Sequence, residues 1–255
     1  MNNTKPYHRF YRQTRINDHN RGYNSSAYLS DHSYAEYPEM YIRSFNILQK
    51  DILELFEYIE PSDANLSTYS LRIYDIYVRI CLEVEANFKA ILRENIYGKD
   101  SSLWNIKDYF KINKTHHLSG YKLTFPVWNG EKNTFTPFED WSDGEYHPLD
   151  WYKIYNNCKH NKYQYMHEAT FGNMLKAFTG LLALLSAQFG TNSYSPGNTV
   201  IVYSNGNDSY YKGKFGIGGY LQIVFPDDWT DEELYDFQWS ELKKEQDRFM
   251  KYNFD

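Results

Sequence analysis

Cysteine is scarce in this 255-residue sequence, which holds only Cys81 and Cys158. The two stand far apart and form no metal-type pair, which excludes a disulfide framework and a recognisable zinc spacing. Long apolar runs are missing too: the longest, around residues 181–185, is far too short to cross a membrane. Residues 1–11 hold no apolar signal-peptide core. We therefore predict a cytoplasmic protein with reduced thiols, no membrane contact, no cofactor and no metal site.

A general excess of basic residues is also absent, because the formal net charge is −6. The acidic excess is uneven, with six carboxylates concentrated in residues 227–236. Outside that segment the chain is close to neutral, so a local basic patch around Lys153, Lys159 and Lys162 is still compatible with the composition.

Aromatic residues, by contrast, make up 19% of the chain and include 26 tyrosines. A tyrosine ring suits half-buried faces, interfaces and base stacking. A codon preference in an AT-rich genome explains the same excess, so both interpretations stay open. The apolar fraction of 42% and the length indicate a globular protein with a sizeable core.

Apolar residues recur at helical spacing in four segments. The first covers about residues 39–59, and the second about 66–95, with Asn65 as its N-cap. A third helix is predicted over about 149–162 and a fourth over about 168–189. The fourth is the most apolar, so we expect it to be the most buried helix.

The last quarter of the chain combines strand and helix signals. Residues 199–204 and 210–215 flank an Asn-Gly turn and predict a β-hairpin, and residues 220–225 predict a third strand. The Gly-x-x-Gly-x-Gly-Gly pattern there predicts turns rather than a nucleotide loop, because no strand-to-helix step contains it. A capping-box pattern at Thr230–Glu233 predicts a final helix that ends near Phe249.

These signals predict a mainly α fold: a helical bundle with a small antiparallel β appendage. We divide it into an N-terminal arm, residues 1–35, and a single helical domain, residues 36–255, with a β-hairpin insertion around 199–225. A further strand is expected over about 121–127. The arm interleaves basic and aromatic residues, which suits either a plain surface arm or a segment that stacks on single-stranded RNA.

The third predicted helix has a polar stripe where a helix of a compact domain usually carries an apolar one. Lys153, Asn156, His160, Tyr163 and His167 recur at spacings of three and four, so they share one face if the helix persists. An amide, two imidazoles and a lysine on one face predict a phosphate or RNA site.

The candidate chemistry centres on His160. A neutral imidazole can take a proton from a ribose 2′-OH or donate one to a leaving 5′-oxygen. Asn156, one turn earlier, would orient that imidazole or bind a phosphate oxygen, and Lys153 or Lys159 would stabilise charge that develops on the phosphate. The alternative is structural: His160 and Asn156 satisfy each other at a helix end.

The segment from Tyr155 to His160, followed by a polar link and an apolar helix, resembles the motif of the HEPN superfamily, in which an arginine precedes a histidine by four to six residues. Residues Glu83 to Lys89 look like the second-helix signature of the same proteins. The resemblance spans about residues 40–250 and implies a HEPN-like helical bundle.

The resemblance also implies a metal-independent endoribonuclease that forms a homodimer and serves in a bacterial toxin or anti-phage system. In this sequence Tyr155 takes the arginine position, so Lys153 or Lys159 must supply the cation, without arginine's bidentate fork. Other HEPN proteins lack the catalytic residues. The second hypothesis is therefore a non-catalytic dimerisation or regulatory module, or an accessory protein, that binds a protein partner.

The motif and its surroundings nominate eight residues. The expected catalytic residues are His160, Asn156, Lys159 and Lys153. The expected substrate-binding residues are Tyr163, Lys162, His167 and Glu83. Glu83 and its neighbour Glu85 have two interpretations: a carboxylate that orients His160, or intrahelical pairing with Arg79 and Lys89.

Overall fold

The computed structural model describes residues 3–15, 23–191 and 214–255. Helices dominate this part of the chain. The α-helices are α1 (Pro38–Leu55), α2 (Leu71–Arg93), α3 (Ile106–Phe110), α4 (Asn113–His116), α5 (Asp150–His160), α6 (Lys162–Tyr165), α7 (Phe171–Phe189) and α8 (Trp239–Leu242). The strands are β1 (Lys122–Thr124), β2 (Thr134–Phe135), β3 (Lys214–Phe215) and β4 (Gln222–Val224). The prediction of a mainly α protein with a small antiparallel β part is confirmed at this level.

Helix α7 is the centre of the core, as its apolar sequence predicts. It is 19 residues long, and 16 of those residues are buried, so every side of it is covered. Thr170 caps its start by accepting a hydrogen bond from the Asn173 N–H at 3.3 Å. Gly180 faces Pro137 and the Trp151 ring at the contact between α7 and α5. Helices α1, α2 and α5 all pack against α7.

Helix α2 begins later than the sequence predicts. Ser70, not Asn65, is the N-cap, and its hydroxyl accepts the Ile73 N–H at 3.1 Å. Before it, residues 63–67 form turns, and Thr68 O accepts a 2.7 Å hydrogen bond from the Phe171 N–H at the start of α7. The predicted start was therefore wrong because this segment pairs with a distant part of the chain. The apolar residues that recur at helical spacing along α2 are buried: Ile73, Tyr77, Ile80, Val84, Phe88 and Ile91.

The four strands form one antiparallel sheet in the order β2-β1-β4-β3. Leu123 of β1 lies opposite both Phe135 and Ile223. The predicted hairpin at 199–215 falls mostly on residues 199–213, which lie outside the described residues. The glycine-rich segment is the β3–β4 turn, where Gly218 and Gly219 have φ values of +83° and +68°. The turn interpretation of that motif is confirmed.

The predicted helix over 230–249 was wrong, because only α8 is helical there. The cap itself forms: Glu233 Oε2 accepts the Thr230 N–H at 3.0 Å. The chain then leaves the helical path, because the N-terminal arm offers it other backbone partners. Tyr235 donates its N–H to Gln13 O at 3.0 Å, and Met250 donates to Pro6 O at 2.9 Å.

The first described segment of the predicted arm, residues 3–15, is built into the core. Arg9 and Arg12 are fully buried, as are Phe10 and most of Tyr7. The Arg9 guanidinium donates to Glu94 Oε1 at 2.5 Å and to Gln188 Oε1 at 2.9 Å. These two arginines therefore stabilise the fold. The interpretation in which the arm binds single-stranded RNA is wrong for them, because neither side chain is exposed.

Both cysteines are free and buried. Within the described ranges, no helix has the length and apolar character needed to span a bilayer.

Candidate functional site

Helix α5 is held in place by its aromatic face. Trp151, Tyr152, Tyr155 and Cys158 are buried, at spacings that define one side of a helix. The Trp151 indole N–H donates to Pro137 O at 2.9 Å, and the Tyr77 hydroxyl donates to the Trp151 carbonyl. The opposite side of α5 faces outward, which leaves Lys153, Lys159 and His160 exposed and Asn156 half-buried.

The polar stripe of five residues does not continue as one helix face. Helix α5 ends at His160, and Asn161 has an extended backbone with φ −147° and ψ 85°. The Asn161 side chain then caps α6 by accepting the Gln164 N–H at 3.3 Å. Tyr163 lies on α6 and His167 on the turn that follows it. The expectation of a single face was wrong because a cap residue interrupts it.

His160 and Asn156 do not satisfy each other. In the described ranges neither side chain makes a hydrogen bond or an ion pair, although they stand one turn apart on α5. The structural alternative for this pair is therefore not supported. An exposed imidazole with both ring nitrogens open to solvent is able to accept or donate a proton.

Tyr155, at the position where the motif has arginine, is buried and uncharged. Burial, followed by the nearby Glu85 carboxylate, raises its pKa far above the ordinary tyrosine value. A neutral phenol cannot stabilise a phosphate as a guanidinium does. Tyr155 therefore does not supply the cation that the HEPN motif has at this position.

Lys159 is the lysine held beside Tyr155. Its ammonium lies 5.6 Å from the centroid of the Tyr155 ring and 4.0 Å from Glu85 Oε1. Glu85 belongs to α2 and also accepts the Tyr152 hydroxyl at 2.8 Å, with Lys89 Nζ 3.8 Å from its other oxygen. Lys153 makes no ion pair within the described part of the chain. Of the two candidate cations, Lys159 is therefore the one with a defined position.

Glu83 is not part of this group. It lines a groove between α1 and α2 together with Ser44, Ile47 and Leu82. Burial raises its pKa, while Ser44 and Arg79 act in the opposite direction. The structure therefore separates Glu83 from His160. The intrahelical interpretation fits Glu85, which pairs with Lys89, and neither carboxylate orients the imidazole.

Beyond α5, the surface carries exposed aromatic rings between basic groups. The Tyr163 side chain is 97% exposed, and Tyr69 is 53% exposed. Lys162 Nζ lies 4.4 Å from the centroid of the Tyr74 ring, and the His167 ring lies 6.5 Å from that of Tyr69. We call the whole set the α5–α6 surface. It consists of Tyr69, Tyr74, Lys153, Asn156, Lys159, His160, Lys162, Tyr163 and His167.

Sequence reasoning missed Tyr69 and Tyr74, which precede α5 by about eighty residues. They reach this surface because Tyr69 forms an isolated antiparallel bridge with Thr170, just before α7. No local pattern signals a pairing of that range. Seven of the nine residues of the surface were nominated from the sequence or from its polar stripe.

Other histidines of the described chain serve the fold. His116 is buried, donates a hydrogen bond from Nε2 to Arg9 O at 3.0 Å, and has its pKa lowered to about 3 by burial. The His117 ring stacks on Trp229 with centroids 3.9 Å apart and contacts Asp228 and Glu233. No group of three or more His, Cys, Asp or Glu side chains in the described ranges is arranged to hold a metal ion.

Comparisons with known proteins add no family: a scan against protein-family models, a search of curated proteins and a search of solved structures each gave no match. The HEPN assignment stays a prediction from the motif.

Proposed function

We propose that this protein binds RNA through the α5–α6 surface, with His160 at its centre. The observation that carries the proposal is the unpartnered His160 imidazole, exposed at the end of α5 one residue after the exposed Lys159. An imidazole and a cation on one helical turn are suited to a phosphodiester, because one moves protons and the other attracts the anionic oxygens.

The exposed rings support RNA as the ligand. Tyr163 and Tyr69 offer flat faces to solvent, and base–aromatic stacking contributes about 1–3 kcal/mol per base in single-stranded complexes. Lys162, beside Tyr74, adds a second cation within reach of a backbone. Together these groups provide phosphate contacts and base contacts on one surface.

RNA cleavage is the further step of the same proposal, in keeping with the HEPN-like motif. The ribose 2′-OH attacks the adjacent phosphorus as His160 removes its proton. The P–O5′ bond breaks, and the protonated His160 gives that proton to the leaving 5′-oxygen, which leaves a 2′,3′-cyclic phosphate and a 5′-hydroxyl. Lys159 stabilises the charge on the phosphate, and Asn156 hydrogen-bonds one of its oxygens. The role in a toxin or anti-phage system rests on the resemblance alone.

Binding is tested first, by fluorescence anisotropy of a labelled single-stranded RNA with the full chain at two salt concentrations. Tyr163→Ala should weaken binding about fivefold or more, because it removes one stacking face. Tyr58→Ala is the matched control, since Tyr58 is 79% exposed at the end of α1. Equal losses in the two variants, or no binding by the wild type, would contradict an RNA site here.

The second candidate is a non-catalytic module that dimerises or binds a protein partner. The groove between α1 and α2 favours it, because Ile47 and Leu82 are each about half exposed there. Light scattering over a broad concentration range separates the possibilities. A homodimer that binds no RNA would favour the module, whereas a monomer at every concentration would remove any site shared between two subunits.

A further inference from the structure

A cavity of about 450 Å³ lies between the α3–α4 segment and the last residues of the chain. It shares no residue with the α5–α6 surface. Its volume falls in the range of small-molecule sites, roughly 300–1,000 Å³. Phe110, Tyr252 and Phe254 supply aromatic walls.

These walls are fixed by their neighbours. The Tyr252 and Phe254 rings meet edge to face with centroids 4.8 Å apart, and both pack on Phe10. The Phe110 ring meets Trp141 in the same manner at 5.4 Å. A flat ligand therefore finds preformed aromatic surfaces, which lowers the entropic cost of binding.

Two lysines line the same cavity. Lys111 and Lys114 are three residues apart across the α3–α4 junction, a spacing that puts them on one side of the turn. Lys111 Nζ donates to Phe254 O at 2.9 Å and lies 4.6 Å from the Tyr97 ring centroid. An ammonium has three donors, so this bond leaves others available. Lys114 is exposed and makes no ion pair or hydrogen bond with the described residues.

Asp255 is the only carboxylate among the residues that line the cavity, and its Oδ1 accepts the Gly98 N–H at 2.8 Å. The ammonium groups of Lys111 and Lys114 are the cations that this lining offers to an anionic ligand. Each ammonium has three N–H donors, and Lys111 gives one of them to Phe254 O. A ligand group with several acceptor oxygens, such as a phosphate, can accept hydrogen bonds from the remaining donors.

We propose that this cavity binds a small aromatic anion of the nucleoside monophosphate class. The base lies against the partly exposed rings of Tyr252 and Phe110, and the phosphate accepts hydrogen bonds from Lys111 and Lys114. Stacking and charge are both required, so neither half of the ligand suffices. The proposal does not depend on RNA binding at the α5–α6 surface.

Isothermal titration calorimetry of the full chain tests this with 5′-AMP, adenosine and inorganic phosphate as probes. We expect saturable 1:1 binding of AMP and at least about tenfold weaker binding of adenosine and of phosphate. Lys114→Glu should weaken AMP binding on the order of tenfold, because it turns attraction into repulsion. Lys243→Glu, at another exposed lysine, should leave the affinity unchanged.

Asn253→Trp is the second variant, since it fills the cavity from an exposed position and should abolish AMP binding without touching a charge. Circular dichroism confirms the fold of each variant. Three results overturn the proposal: no AMP binding by the folded wild type at millimolar concentration, equal affinities for AMP and adenosine, or wild-type affinity in both variants. A loss of AMP binding in Lys159→Ala, with wild-type affinity in Lys114→Glu and Asn253→Trp, would place the ligand on the α5–α6 surface. That result would overturn the proposal as well.

Discussion

The ammonium of Lys159 lies 4.0 Å from Glu85 Oε1, so a carboxylate of α2 restrains a cation of α5. The same carboxylate accepts the Tyr152 hydroxyl and stands near the buried Tyr155. The negative charge of Glu85 repels any phosphate that approaches Lys159. Glu85 therefore positions the ammonium and also weakens the attraction of this site for phosphate.

The first prediction concerns this pair. Glu85→Gln should strengthen RNA binding about two- to fivefold, because it removes the competing anion and keeps an acceptor for Tyr152. Lys159→Ala should weaken binding and reduce its salt dependence. The affinities are measured by anisotropy at low salt. Glu83→Gln is the matched control on the same helix. A gain in Glu85→Gln that persists in the Lys159→Ala background would show that the carboxylate acts on something else.

The second prediction concerns the proposed cleavage. His160→Ala should lower the rate roughly 10²–10⁴-fold and leave RNA binding largely intact. The activity should persist in EDTA, because the nucleophile is the RNA's own 2′-OH and imidazole moves the protons. RNA methylated at the 2′-oxygen should not be cleaved, because methylation removes that nucleophile. The assay is gel analysis of one labelled RNA. Activity that EDTA abolishes and magnesium restores would contradict this mechanism.

The third prediction tests the core. Leu181→Ala should lower the free energy of unfolding by about 2–5 kcal/mol, because Leu181 is fully buried on α7 and leaves a cavity. Lys243→Ala, at an exposed position, should change it by less than about 0.5 kcal/mol. Urea unfolding followed by circular dichroism gives both values. Similar midpoints for the two variants would mean that α7 is not the centre of the core.

The fourth prediction follows from His116, whose pKa burial lowers to about 3. In the native state the His116 imidazole stays neutral at pH values where the unfolded chain protonates it, from about pH 6.5 downwards. The free energy of unfolding is therefore unaffected by His116 above about pH 6.5. It falls by about 1.4 kcal/mol per pH unit as the pH decreases from there towards 3. Burial lowers the pKa of His8 as well, which adds in the same direction.

Urea unfolding between pH 7 and pH 5 measures that slope. His116→Gln should flatten the dependence, whereas His147→Gln, at an exposed site, should keep it. A wild-type stability that is constant over this interval would show that His116 titrates normally in the fold.

Where local periodicity decides the structure, the sequence predicts it well. The apolar stripe of α7 depends only on neighbouring residues, and it is present in the fold. The outward face of α5 was predictable for the same reason. Its end was not, because the Asn161 side chain caps α6 instead of continuing the helix.

Long-range pairing accounts for the rest. The Thr230 capping box is a correct local signal, yet Tyr235 bonds to Gln13, more than two hundred residues away. The contact between Glu85 and Lys159 joins two helices whose relative rotation no periodicity specifies. Glu83 and Glu85 are two residues apart, and the sequence alone gives no reason to choose which of them faces α5.

The pairing of residues 3–15 with residues 235–254 has a consequence for the folding pathway. The Phe10 ring is buried against Tyr252 and Phe254, which are more than two hundred residues away along the chain. Contacts of such long sequence separation form slowly. The 3–15 segment therefore keeps Phe10 uncovered until residues 235–254 dock against it, and that docking is a late step of folding.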